Sequence, residues 1–105
     1  MTDAADFWKK TIKNEYNNLL YKNESSDDKI CLKLKEFNML DDVIKSKIIL
    51  YTIENLLSTT QGIGKIHIED IIKLCNNNRG NKFLIPNKKI KVLVQDKKLQ
   101  FMKNY

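Results

Sequence analysis

The stretch from Arg79 to Lys103 limits what this chain can fold into more than any other. Ile90, Val92 and Val94 alternate with Lys89, Lys91 and Leu93, the period-two pattern of a strand with one buried face. A turn at Asp96-Lys97 would pair Val94 with Leu99 and Val92 with Phe101, so that apolar contact on one face fixes the register. Upstream, Phe83 and Ile85 alternate in the same way. A loop over Pro86, Asn87, Lys88 and Lys89 would set Ile85 against Ile90 and Phe83 against Val92. The expectation is a small antiparallel three-stranded meander. Its apolar face would hold Phe83, Ile90, Val92 and Phe101, and its other face and turns would carry Lys82, Lys88, Lys89, Lys91, Lys97 and Lys98.

What precedes the meander reads as helical. Ala5, Trp8, Ile12, Tyr16 and Leu19 make one apolar stripe over residues 4–21, with Thr2 or Asp3 suited to cap its first N–H groups. Asn, Ser and Asp over residues 23–28 break the pattern. Ile30, Leu32 and Leu34 then alternate with Cys31, Lys33 and Lys35. Both a short extended piece and the entry to a short helix through Phe37 and Leu40 fit, and the helix is the preferred reading. Residues 42–58 predict the central helix, capped by the Asp41 carboxylate, with apolar residues over more than half of its circumference. Burying six of them contributes about 9–18 kcal/mol before conformational entropy is subtracted. Gly62-Ile63-Gly64 stops that helix. Ile68, Ile71, Ile72 and Cys75 form a single stripe on the next helix, residues 66–74. The fold class is α+β, with three to four helices ahead of the sheet.

A chain of 105 residues supports one modest core. Its charge is unevenly placed. Residues 76–105 hold one Arg and seven Lys against a single acid, Asp96, a net +7, whereas residues 1–75 hold eleven Lys against twelve acids, a net −1. A solubilised sheet face accounts for this. So does a phosphate-facing surface, because concentrated positive charge attracts nucleic acid without sequence readout. The residues that would contact phosphate are Arg79, Lys82, Lys88, Lys89, Lys91, Lys97 and Lys98, and no aromatic stacking platform is expected among them. No apolar run reaches membrane-spanning length, and the N-terminus lacks a signal-peptide layout. Cys31 and Cys75 fit buried thiols in a reducing, cytoplasmic setting.

Catalytic chemistry is sparse. His67 is the sole histidine and has no metal-ligand spacing around it. The acidic pairs Asp27-Asp28, Asp41-Asp42 and Glu69-Asp70 read as loop or helix-dipole residues. Gly62-Ile63-Gly64 lacks the strand and the GK[ST] of a phosphate loop. Neither metal nor cofactor is expected in the chain, and it reads as no enzyme by itself. Three helices followed by a basic hairpin also suggest a winged-helix DNA binder, but Glu69 and Asp70 on the would-be recognition helix oppose phosphate.

Several pieces together resemble a known family. These are the N-terminal helix with Phe7 and Trp8, the central Asp41-Asp42-Val43-Ile44-Lys45-Ser46-Lys47-Ile48-Ile49-Leu50, and Ile66-His67-Ile68-Glu69-Asp70-Ile71-Ile72. Gly80-Asn81-Lys82-Phe83-Leu84-Ile85-Pro86-Asn87 and the strands from Ile90 to Phe101 complete the set. The chain is similar to the region after the catalytic domain of bacterial tRNA(Ile)-lysidine synthetase, a family also labelled as a cell-cycle protein. Lys45 and Lys47 stand where that family often has Arg, and the Ser-Gly-Gly-x-Asp-Ser ATP loop is missing. The resemblance implies a segment of a longer enzyme. Residues 1–22 would be a linker helix, and residues 23–105 a non-catalytic accessory domain that holds tRNA. ATP and Mg2+ would belong to the catalytic domain, and the full enzyme would be a homodimer. The competing expectation is a packing module that positions a neighbouring domain and touches no RNA.

Overall fold

The computed structural model describes residues 3–23, 25–59, 62–76, 82–95 and 97–103, with side chains from residue 9 onward except at positions 82 and 87. The order of elements is α1 (Asp3–Leu19), β1 (Lys29–Lys33), α2 (Leu34–Asn38), α3 (Asp42–Leu57), α4 (Lys65–Asn76), β2 (Lys82–Asn87), β3 (Ile90–Gln95) and β4 (Lys98–Lys103). The fold is α+β. The sheet has four antiparallel strands in the order β1-β4-β3-β2, not three.

The β3–β4 register is the one that the apolar pattern requires: Val92 pairs with Phe101 and Val94 with Leu99. The hairpin closes at Gln95 and Lys98, and Lys97 takes a φ of 64°, the left-handed geometry that a two-residue turn needs. The β2–β3 register differs from expectation by one residue. Asn87 pairs with Ile90 around a two-residue turn, Leu84 with Val92, and Phe83 with Leu93, with an irregularity between Leu84 and Asn87. Pro86 lies in that irregularity, where its missing N–H breaks no ladder bond. A one-residue slip exchanges the two faces of a strand. Leu84 therefore turns inward, and Phe83 is 61% exposed instead of packing on α3.

The fourth strand comes from the ambiguous segment, which is extended first and helical afterwards. Ile30 pairs with Phe101 and Leu32 with Leu99, and α2 then buries Leu34 and Phe37. The Leu34 N–H donates to the Lys97 carbonyl at 3.1 Å, which ties the start of α2 to the β3–β4 turn.

One face of the sheet is apolar. Ile30, Leu32, Ile90, Val92, Leu99 and Phe101 are buried there in one cluster with Ile48, Ile49 and Ile53 of α3 and with Ile68 and Ile71 of α4. Ile12, Tyr16 and Leu19 of α1 complete it, and the Tyr16 ring meets Tyr51 edge-on at 4.9 Å between centroids. The Ala5 and Trp8 side chains fall outside the described set. On α3, Val43 is exposed, while Thr52 is buried with its hydroxyl donating to the Ile48 carbonyl at 2.7 Å. Asp41 holds the N-cap position of α3, but its side chain makes no capping bond. Its carbonyl accepts the Lys45 N–H at 2.8 Å instead. Ser58, with a φ of 64°, ends that helix.

Two expectations about stability follow. Phe101→Ala should cost about 3–5 kcal/mol in urea unfolding, whereas Phe83→Ala should cost well under about 1 kcal/mol; the reverse order would restore the register read from sequence. Burial also pushes the Cys75 thiol from 9.0 up to about 12, with only partial relief from the Lys45 ammonium. The folded state thus keeps the thiol neutral where the unfolded chain ionises. This contribution is full below pH 9 and is lost as pH rises towards 12, by about 1.4 kcal/mol per unit. Urea midpoints measured at intervals above pH 9 should fall less steeply for Cys75→Ala than for the parent chain.

Candidate nucleic-acid interface

The helices cover the apolar face of the sheet. On the opposite face Cys31 and Gln100 are buried, Lys29, Lys33, Lys91, Lys98, Leu93 and Met102 are half-buried, and Phe83 is exposed. No Asp or Glu occurs in any of the four strands, which contain Lys29, Lys33, Lys82, Lys91, Lys98 and Lys103. Alternation along antiparallel strands sorts the outward residues into rows that run across the sheet. In one row Lys33 pairs with Lys98, and Lys98 with Gln95. In the next row Cys31, Gln100, Leu93 and Phe83 are successive partners. In the third row Lys29 and Lys91 flank Met102. An uncharged row thus runs between two lysine rows.

Each end of the uncharged row is aromatic. Phe83 stands at the β2 edge, with the Lys91 ammonium 4.7 Å from its ring centroid. At the β1 edge the chain leaving α1 lies beside the sheet. Leu20 bridges to Leu32, and the Tyr21 N–H donates to the Cys31 carbonyl at 2.9 Å. The Cys31 N–H donates to Ser25 Oγ at 3.0 Å, and that hydroxyl donates to the Tyr21 carbonyl at 2.9 Å. This clasp buries Cys31 and places the Tyr21 ring 5.7 Å from Lys33 Nζ and 5.5 Å from Lys98 Nζ. Lysines directly opposite each other destabilise a strand pair. The ring between Lys33 and Lys98 offsets part of that repulsion through its π face.

The sequence-derived phosphate set divides over this surface. Lys91 and Lys98 are on the lysine face. Lys88 and Lys89 are exposed in the β2–β3 turn at one end of the sheet, and Lys97 is exposed in the β3–β4 turn at the opposite end. The backbone of Lys82 lies in β2, its side chain is not described, and Arg79 falls outside the described residues. Sequence reasoning missed Lys29 and Lys33, whose signal was the alternation through Cys31 that was assigned to a helix. It missed Tyr21, which no local pattern marks, and it placed Phe83 inside. The expectation that no aromatic interleaves with the lysines is thereby corrected. Lys103 is taken by Asp28 at 3.7 Å. Lys45 is buried beside Phe37 and is not available to a ligand.

The remaining candidates for chemistry have structural roles. His67 Nδ1 accepts the Gly64 N–H at 2.9 Å and anchors the start of α4. Among the described residues, no three His, Cys, Asp or Glu side chains group to hold a metal, and no helix is long and apolar enough to cross a membrane. A groove of about 650 Å³ lies between α3 and α4, with Leu50, Ile63, Ile68 and Ile72 in its walls. No family model and no curated protein matches the chain.

Strands that carry lysine and no acid repel one another, and salt screens that repulsion. The thermal midpoint should rise as NaCl goes from about 0.01 M to about 1 M, where the Debye length falls from ~30 Å to ~3 Å. Lys33→Glu should shrink that rise, and an equal rise in both proteins would mean that the lysine rows do not interact.

Proposed function

We propose that this chain is a non-catalytic RNA-holding domain, and that it serves a tRNA(Ile)-lysidine synthetase by gripping the tRNA while a separate catalytic domain acts. The observation that carries the reading is the sheet face opposite the helices, with lysines in two rows and no carboxylate in any strand. Lysine ammonium groups are point charges that bind phosphate without reading sequence. The face therefore supplies affinity and placement, and selection of the tRNA falls to other parts of the enzyme. On this reading ATP and Mg2+ belong to the catalytic domain, the full enzyme is a homodimer, and the setting is cytoplasmic. The chemistry would be attachment of lysine to an anticodon cytidine, performed outside this chain.

One observation favours a second role beside the first. The apolar groove between α3 and α4 lies in the helical layer, not on the lysine face. A packing module that positions a neighbouring domain would use this groove and leave the sheet alone. A winged-helix reading is weaker, because Glu69 is exposed on α4 and would meet phosphate in a groove.

A salt titration of tRNA binding separates these roles. Log affinity should fall linearly with log salt. The pairs Lys33→Ala/Lys91→Ala and Lys88→Ala/Lys89→Ala should each flatten the line, by about 0.7–0.9 for every lysine that touches a phosphate. The same slopes in parent and both variants would exclude the lysine face and leave the packing role.

A further inference from the structure

We infer that the lysine face of the sheet is a stacking platform for unpaired RNA bases, which lie across the strands between Tyr21 and Phe83. This rests on the RNA-holding reading and adds the part of the RNA that is held. The first observation is Phe83 itself. A 61% exposed phenylalanine, on a face that also carries Leu93 between its lysine rows and Met102 within one, contributes little to the core, and its ring already carries the Lys91 ammonium at 4.7 Å. The second is the repetition of that unit at the opposite edge, where Tyr21 is flanked by Lys33 and Lys98. A ring with a cation beside it suits one nucleotide, since the base stacks on the ring while the lysine meets its phosphate.

The spacing fits a strand of RNA several nucleotides long. Neighbouring strands lie about 4.8 Å apart, so the four steps from β2 to the Tyr21 segment span roughly 19 Å. The lysine rows lie about 7 Å to either side of the uncharged row, two residues along each strand. Between the rings, Leu93 is half-buried while Gln100 and Cys31 are buried, so stacking falls to the two rings at the edges. A duplex presents phosphates but hides its base faces in the stack, so it could meet the lysines without using either ring. Unpaired nucleotides use both, and the four strands themselves contain no Asp or Glu.

The test compares full-length chain binding to a single-stranded oligouridylate of about twelve nucleotides and to a blunt RNA hairpin, by fluorescence anisotropy. The single strand should bind more tightly. Phe83→Ala should weaken single-strand binding about 5- to 150-fold, with the salt slope unchanged and hairpin binding unaffected. Phe83→Trp should restore it. The urea midpoint of Phe83→Ala shows whether the variant is folded, and Tyr21→Ala repeats the measurement at the other edge. If both alanine variants bind the single strand as the parent does while its salt slope persists, the platform is wrong and RNA holding stands. Equal or tighter binding to the hairpin also overturns the platform. No binding of the parent chain to either RNA overturns the platform and the RNA-holding reading together.

Discussion

The pairing of β1 with β4 is the contact on which the rest depends. It joins residues 29–33 to residues 98–102, so α2, α3, α4 and the β2–β3 hairpin all lie within one closed loop. Bringing such distant segments together costs chain entropy that grows slowly with loop length. Burial of Ile30 and Leu32 against Leu99 and Phe101, all in the same cluster as α3 and α4, offsets that cost. The pairing also decides where the helices go. They pack on the apolar face of the strands, and the lysine rows are left on the opposite face. The candidate interface is therefore a consequence of how the core closes.

The parts legible in the sequence were those whose information is local. Residues 90–101 state their own register, because alternation and a two-residue turn agree on which residues meet. The α4 stripe of Ile68, Ile71 and Cys75 is local in the same sense. β1 is different. Ile30, Leu32, Leu34 and Phe37 satisfy an extended reading and a helical one, and the segment takes each in turn. Only its partner, β4, decides where the first ends, and nothing near residue 30 reports that partner. The β2 slip has a similar cause. A four-residue loop and a two-residue turn followed by an irregularity at Pro86 leave the same local pattern, yet they place Phe83 on opposite faces. One residue of register thus separates a core phenylalanine from a surface one, and a plain lysine face from one with a ring at its edge.

Charge on the lysine face works against stability, and on the proposed reading it would favour binding. Lys33 opposite Lys98 breaks the preference for unlike or neutral cross-strand pairs, and departures of this kind from local preference concentrate at functional sites. The Tyr21 ring moderates the repulsion without neutralising it, because a π face is a weak partner for two ammonium groups. The near-absence of Arg sharpens the point, since the strands carry lysine alone and lack the planar fork that reads geometry. On the proposed RNA-holding reading, affinity would be general, and any preference among RNAs would come from shape and from base stacking.

The two ends of the platform differ in how firmly they are held. Tyr21 is fixed by a closed set of three hydrogen bonds through Cys31 and Ser25, and the buried Cys31 beneath it ties that clasp to the sheet. Phe83 stands on an edge strand next to a break in the ladder, with most of its ring in solvent. Ordering a side chain on binding costs free energy, so the larger ordering cost falls at the Phe83 end. The Tyr21 end is pre-organised, and on the inferred platform a bound strand would engage there first and draw Phe83 and Lys91 into place second. Because Phe83 adds little to the core, substitutions at the β2 edge would then test the platform without disturbing the β1–β4 closure that supports it.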